Sequence, residues 1–231
     1  MRRHRFVPGA LVGLLIALGV GVVATARLRH RSPGVTPHDR ARALPGDDLV
    51  PDATVVMDRV GVLSAPPEEV WPWLLQLGKG RAGWYFPARF EVVVPPRRRG
   101  LRHLEPSLLE VNHGDRVPDW GPGTPALEVS SVTAPASLVF HSLRDRRNAW
   151  RWPQEGTGAD PAVLAMSWAL QLDPADGDRT RLHLRVRLRM RRANGPASRL
   201  GDLVDAVTTG LLFAGLSERL RSPNARPAPG G

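Results

Sequence analysis

The chain contains no cysteine, which excludes disulfide bonds and thiolate metal sites and leaves its redox compartment open. Its histidines are scattered, without the H-x-H or H-E-x-x-H spacing that metal sites use. The G-x-S-x-G motif that presents an acyl nucleophile is also missing. The sequence therefore predicts no metal ion and no cofactor, and it offers no catalytic motif.

Lysine is almost absent, since Lys79 is the only one, and the net charge of +10 comes nearly all from arginine. A nucleic-acid surface needs basic side chains interleaved with aromatic ones along one helix or sheet face. None of the predicted helices has that pattern. The excess of arginine alone does not predict nucleic-acid binding.

Residues 6–26 form a run of 21 positions without a charged side chain. As a helix, this run would span roughly 32 Å and could cross a hydrocarbon core of about 30 Å. With the basic residues 1–5 ahead of it, the run predicts a single-pass anchor in the cell membrane. The alternative is a secretory signal peptide that is cleaved at Ala24-Thr25-Ala26.

More arginines follow the predicted span than precede it, which favours a cytoplasmic domain. An extracytoplasmic domain, or secretion after cleavage, is the alternative. Residues 27–46 are polar and interrupted by proline, so they predict a tether with one short helical turn. The folded domain is expected at residues 47–221, and the Pro- and Gly-rich residues 222–231 predict a disordered tail. The oligomeric state is left open.

Hydrophobic periodicity predicts an α+β domain. Residues 54–63 have the composition of a strand, and a helix starting at Pro66 places Val70 and Trp73 on one buried face. Further strands are expected at residues 108–111, 115–117, 126–132, 137–143 and 164–172.

Residues 179–190 alternate apolar and basic side chains, as in an antiparallel strand with one face in the core. The arginine face of this strand is expected in solvent, with contact to anionic lipid as the alternative. An apolar stripe through Leu203 and Leu211 predicts a long helix from Ser198, which would cross the concave face of the sheet. This order of elements is that of a helix-grip fold.

The glycines of residues 78–83 match G-x-G-x-x-G, the dinucleotide-binding spacing. That fingerprint works only where the glycines follow a strand and open a helix, because the pyrophosphate binds at the helix N-terminus. Here the glycines follow a predicted helix end. They are interpreted as a tight turn that lets Arg81, Trp84 and Tyr85 point inward.

Several blocks of sequence resemble the SRPBCC superfamily, also called START-like or Bet v 1-like, and most closely its membrane-anchored bacterial members. The blocks are GDDLVP at 46–51, APPEEVWPWLLQLGKGRAGWY at 65–85, GDRVP at 114–118, SWALQLDP at 167–174 and TRLHLRVR at 180–187. The resemblance covers roughly residues 46–220. It implies a hydrophobic cavity between the sheet and the C-terminal helix. Relatives use that cavity for lipid transport, for other apolar ligands, or for polyketide cyclase and dehydrase chemistry.

The resemblance transfers no catalytic residue, because the superfamily has no common catalytic motif. Aromatic side chains give the preferred cavity-lining set, since amphipathic rings commonly line apolar pockets with a few polar anchors. That set is Trp84, Tyr85, Phe140, Trp168 and Phe213, with Arg81 as its polar member.

For acid–base chemistry the candidates are His141, Tyr85 and Arg81, followed by Asp115 and Glu105. Each has a structural alternative. His141 would face solvent, Tyr85 would be a core ring, Arg81 would form a salt bridge, and the two acids would belong to turns.

The sequence thus favours a membrane-tethered protein that binds a hydrophobic small molecule or lipid. One alternative is a cyclase-, dehydratase- or aromatase-like enzyme acting on a polyketide-like or aromatic substrate. Another is an interaction module without a ligand. Whether the chain is an enzyme stays open at this point, with binding favoured over catalysis.

Overall fold

The computed structural model describes residues 34–120, 123–156, 158, 160–190 and 195–222. The helices are α1 (Pro37–Ala41), α2 (Pro67–Gln76), α3 (Ala88–Glu91) and α4 (Gly195–Leu220), with 3₁₀ turns at Pro96–Arg98 and Pro106–Leu108. The strands are β1 (Val55–Leu63), β2 (Arg116–Pro118), β3 (Ala126–Thr133), β4 (Ser137–Asp145), β5 (Val163–Ala175) and β6 (Arg179–Arg189).

The anchor predicted at residues 6–26 and the basic residues 1–5 lie outside the described residues, as does the predicted tail from residue 223 onward. Within the described ranges, no helix is long and apolar enough to cross a membrane.

The strands form one six-stranded antiparallel sheet in the order β1-β6-β5-β4-β3-β2. This confirms the predicted α+β class with an antiparallel sheet and a long C-terminal helix. The prediction of a strand at residues 108–111 is wrong. Leu108 ends a 3₁₀ turn, and the residues after it lie outside the sheet. The carbonyl of Leu108 accepts a hydrogen bond from the Arg81 side chain instead of from a neighbouring strand.

Helix α4 packs over the inner face of β1. The ring of Phe213 lies against Gly61, where an added Cβ would come within 2.8 Å of it. Closer to the start of the helix than Phe213, Asp202 and Asp205 form ion pairs of 2.5 and 2.9 Å with Arg59. Since Arg59 precedes Gly61 on β1, the helix runs toward the end of the sheet marked by Leu63.

The contact of α4 with the segment after α2 depends on a glycine. A Cβ at Gly215 would lie 2.3 Å from the carbonyl oxygen of Tyr85, whereas a Cβ at Gly201 would meet nothing within 4 Å. We expect Gly215→Ala to destabilise the domain by about 1–3 kcal/mol, because the backbone must shift. Gly201→Ala, the matched control, should stabilise it by about 0.5–1 kcal/mol through helix propensity. Urea unfolding of both variants checks the signs, and equal effects would contradict this packing.

The outer face of the sheet is covered by residues 36–52, which we call the strap. Its helix α1 begins with a capping box between Thr36 and Asp39. The Arg185 side chain donates to the carbonyls of Asp39 and Arg42, both at 2.7 Å. Thus residues of the predicted tether from Thr36 onward pack against the sheet.

The expectation that the basic face of β6 lies in solvent is wrong at two positions, because Arg185 and His183 are buried. Asp58 explains this burial. Its Oδ1 atom lies 2.7 Å from His183 Nε2 and 2.8 Å from Arg185 Nε. Strap carbonyls and the Asp47 carboxylate accept from the remaining guanidinium donors, as is usual for a buried polar group.

Candidate functional site

The inner face of the sheet is unevenly covered. At the Leu63 end, Leu170 and Leu182 are fully buried below α2 and α4. Toward the Val55 end of the sheet, the inner-face residues are only half-buried; they are Leu164, Met166, Trp168, Val186 and Leu188. We call this half-open apolar surface the inner cleft.

This pattern is unusual because the opposite face of the same strand is covered better. On β5, Ala165, Ser167 and Ala169 face outward and are buried, while Met166 and Trp168 face inward and stay half-buried. In an antiparallel sheet the apolar face commonly packs on the core. The inner cleft therefore keeps an apolar surface within reach of solvent.

Aromatic rings form one wall of the inner cleft. Trp168 stacks on Phe140 at 5.5 Å between ring centroids, which follows from their direct cross-strand pairing. On its other side, Trp168 stacks on Trp84 at 6.1 Å, and Trp120 meets Trp84 edge-on at 5.8 Å. The structure thus brings together three residues of the predicted set, Trp84, Phe140 and Trp168.

Trp84 also connects the wall to the helix. Its indole Nε1 donates a 3.1 Å hydrogen bond to the carbonyl of Thr208 on α4. Trp120 is not in the predicted set. It lies at the edge of the ring cluster and is 45% exposed. Trp120 is one of seven tryptophans in the chain, but nothing in its local sequence pattern indicates that it lies beside Trp84.

A polar group borders the rings. Arg144 forms an ion pair with Asp119, and its Nε donates to Ser142 Oγ at 3.0 Å. The same guanidinium lies 3.7 Å from the sulfur of Met166, on the floor of the inner cleft. Both charged side chains are mostly shielded from solvent. The sequence did not single out this pair, because residues 144–161 are polar and interrupted and fit either a ragged strand or a lid over a cavity.

Asp205 on α4 supplies a second polar group. Burial, with a smaller contribution from the neighbouring Asp202, raises the pKa of the Asp205 carboxyl to about 6, although Arg59 opposes the shift. Burial destabilises the ionised carboxylate because it loses hydration. The neutral form of Asp205 therefore prevails up to a pH of about 6.

The raised pKa predicts a specific pH dependence of stability. The unfolded chain has a pKa near 3.8 at Asp205, so the stabilisation is complete below that pH and is lost as pH rises through 6. Asp205→Asn should remove this loss, which is at most about 3 kcal/mol. Chemical unfolding at pH 4 to 7 checks it. Asp202→Asn is the comparison variant and should only reduce the dependence of stability on pH, because Asp202 makes the smaller contribution to the raised pKa. A wild-type pH dependence in Asp205→Asn would contradict the assignment.

Tyr85 lies in the core, away from the inner cleft. It is fully buried, and its hydroxyl donates to the carbonyl of Trp73 at 2.9 Å. The Arg219 guanidinium lies 4.5 Å from the ring centroid. Burial raises the pKa of Tyr85, so the phenol stays protonated at neutral pH.

Arg81 is also held by the backbone. Its Nη2 donates to the carbonyls of Leu75 at 3.3 Å and Leu108 at 2.5 Å. Burial lowers the pKa of Arg81, and no carboxylate among the described residues forms a salt bridge with it. Its role in the structure is to hold the loop before β2.

His141 lies on the outer face of β4, paired with Glu128 and Ser167. Its ring meets Trp152 edge-on at 5.9 Å, and burial lowers the pKa of the imidazole. A cavity of about 490 Å³ adjoins this region and is lined by Arg116, Leu143, Trp152 and residues 153–156 and 158. The histidine is therefore separated from the inner cleft by the sheet.

The two candidate acids lie in turns. Asp115 Oδ2 accepts from the backbone N–H of Asn112 at 2.8 Å, and Glu105 Oε1 accepts from Ser107 Oγ at 3.1 Å. Phe213, the last member of the predicted lining set, packs on Gly61 of β1.

No protein-family model matches the chain, and no curated protein matches it. Similar solved structures include proteins from Mesorhizobium loti (18% identity, 72% of this chain and 96% of that chain, TM-score 0.40) and Arthrobacter aurescens (17%, 74% and 89%, 0.41). A protein from Nitrosomonas europaea is similar at 14% identity over 72% of this chain and 94% of that chain, with a TM-score of 0.42. At these TM-scores the likenesses carry no argument about function.

Proposed function

We propose that this protein binds a hydrophobic small molecule or lipid in the inner cleft, close to a membrane in which residues 6–26 anchor it. The observation that carries the proposal is the half-buried apolar surface from Met166 and Trp168 to Val186, beside the ring cluster. A folded domain that had no ligand for this surface would gain stability by burying it, at about 25 cal/mol per Å².

The composition of the inner cleft agrees with a ligand that is mostly apolar and has one polar end. Stacked indoles and aliphatic side chains supply apolar contact area, while the Arg144–Asp119 pair offers a polar contact at the border. The resemblance of residues 65–85 to the SRPBCC superfamily, with its cavity for apolar ligands, supports the same assignment. The proposed membrane anchor would keep the domain at the surface of the bilayer from which such a ligand partitions.

Binding is preferred to catalysis because of where the titratable groups lie. Tyr85 and Arg81 are committed to backbone carbonyls in the core, and His141 lies on the outer face of the sheet. A general acid or base must come within hydrogen-bond reach of its substrate. None of these three side chains adjoins the inner cleft. The carboxylates that the site does contain, Asp119 and Asp205, are held in ion pairs with Arg144 and Arg59.

Native mass spectrometry of residues 34–222, purified without detergent, tests the proposal. This fragment contains every described helix and strand. We expect a co-purified lipid-sized adduct that dissociates on activation in the gas phase. Val186→Phe should reduce the adduct by filling the inner cleft, whereas Val62→Phe, on the outer side of β1, should not. A cooperatively folded fragment that carries no adduct, or equal adducts in both variants, would contradict binding in the inner cleft.

A further inference from the structure

The connection between α3 and the 3₁₀ turn exposes apolar side chains at its tip. Val92 and Val93 are 74% and 83% exposed, whereas valine is among the residues most often buried in folded proteins. Pro95 and Pro96 follow and are exposed as well. We call residues 92–99 the valine–arginine loop.

Basic residues surround these valines. Arg97, Arg98 and Arg99 follow within the same loop, and Arg89 precedes it; all four are exposed. Among the residues that the structure describes, no carboxylate forms an ion pair with any of the four. Exposed valines can enter the outer acyl region of a bilayer. Arginines that have no carboxylate partner can contact the headgroups of anionic lipids.

The base of the valine–arginine loop is fixed rigidly. Glu91 is buried between Arg219, at 2.9 Å, and Arg102, at 3.0 Å. Arg219 also donates to the carbonyls of Phe86 and Gly100, on the two sides of the loop. The exposed valines are therefore presented by an ordered platform.

The valine–arginine loop and the start of the strap lie at the same end of the sheet. The loop is attached to the last turn of α4, beyond the Phe213–Gly61 contact and thus toward Leu63. The strap starts at that end too, since Asp39 pairs with Arg181, whose strand partner is Val62. The hydrophobic residues 6–26 precede the strap in the sequence, so the proposed anchor leads into the chain that enters the domain at this end of the sheet.

From these observations we infer that the valine–arginine loop docks on the surface of an anionic lipid bilayer. Val92 and Val93 enter the interfacial region while the arginines contact phosphate groups. This contact is a second attachment besides the anchor, and it fixes the orientation of the domain. It does not require a ligand in the inner cleft.

The absence of native cysteine makes a direct test simple. Val93→Cys in the full chain is labelled with the polarity-sensitive fluorophore NBD and reconstituted in nanodiscs. The discs contain either phosphatidylcholine alone or phosphatidylcholine with phosphatidylglycerol. Asn148→Cys, an exposed position in the turn after β4, is the matched control. Phosphatidylcholine bearing a spin label reports whether the fluorophore contacts lipid.

We expect blue-shifted emission at position 93 that is quenched by the spin-labelled lipid and is stronger in discs with phosphatidylglycerol. Position 148 should show neither effect. Arg97→Gln with Arg98→Gln should lower the docked-to-undocked ratio roughly thirtyfold, and added salt should act in the same direction. Val186→Phe should leave the signal unchanged, which separates this contact from ligand binding.

Equal emission at positions 93 and 148 would overturn the proposal. So would a signal at position 93 that ignores lipid charge, since the arginines would then play no part. A signal that the spin-labelled lipid does not quench would assign the loop to a protein contact and would also overturn it.

Discussion

Replacing Arg185 by methionine is expected to destabilise the domain by about 3–5 kcal/mol, the usual effect of breaking a buried ion pair. The side chain is 3% exposed and bridges Asp58 on β1 to Asp47 on the strap, both at 2.8 Å. Methionine fills the volume but leaves both carboxylates without this partner. It also frees the strap carbonyls of Asp39 and Arg42.

Urea unfolding of residues 34–222 measures this effect, and Arg187→Met is the matched control on the same face of β6. Arg187 is less buried and contacts the strap only through the carbonyls of Val50 and Pro51 and a 3.8 Å approach to Asp47. Its loss should cost about 1 kcal/mol. Adding Asp58→Asn to Arg185→Met should recover part of the loss, since the two residues are coupled. Equal effects of the two arginine variants would show that the strap does not depend on Arg185.

Arg219→Leu is expected to have an effect of the same size, about 3–5 kcal/mol. This guanidinium is fully buried, pairs with Glu91 at 2.9 Å, and donates to Leu101, Phe86, Gly215 and Gly100 carbonyls. Leucine would leave Glu91 buried with Arg102 alone. It would also remove the cation from the Tyr85 ring.

Arg221→Leu is the control for this variant, since Arg221 is exposed and donates only to the carbonyl of Ser217. Its effect should stay within about 0.5 kcal/mol. Limited proteolysis provides a second readout, because Arg219→Leu should make the valine–arginine loop susceptible before the sheet unfolds. Unchanged stability and unchanged cleavage would mean that the loop is held by other contacts.

The sheet and the long helix could be predicted because their periodicities are strong. The alternation of β6 follows a period of two, and the same period defines the faces of β4 and β5. The register that pairs Phe140 with Trp168 is seen only in the structure. The segment after α2 has no such period. Tyr85 therefore lies in the core while its neighbour Trp84 reaches the inner cleft, and the sequence alone could not separate them.

The strap and the buried arginines could not be predicted for a different reason. Residues 36–52 attach in part through backbone carbonyls that accept from Arg185, and the position of a carbonyl cannot be read from a sequence. Their side-chain ion pairs, such as Asp39 with Arg181, join residues 142 positions apart. Arg219 continues the buried stripe of Leu212 and Leu216 on α4, yet arginine is normally exposed unless it is paired. Its partner Glu91 is 128 residues away in the chain.

The most direct test of binding in the inner cleft is photo-cross-linking in the full chain. The protein is reconstituted in nanodiscs with a fatty acid that carries a diazirine, irradiated, and mapped by peptide mass spectrometry. We predict adducts on the peptides that contain Met166, Trp168 and Val186, and a loss of these adducts in Val186→Phe but not in Val62→Phe. Adducts confined to residues 6–26, or to the outer cavity at Trp152, would contradict the account.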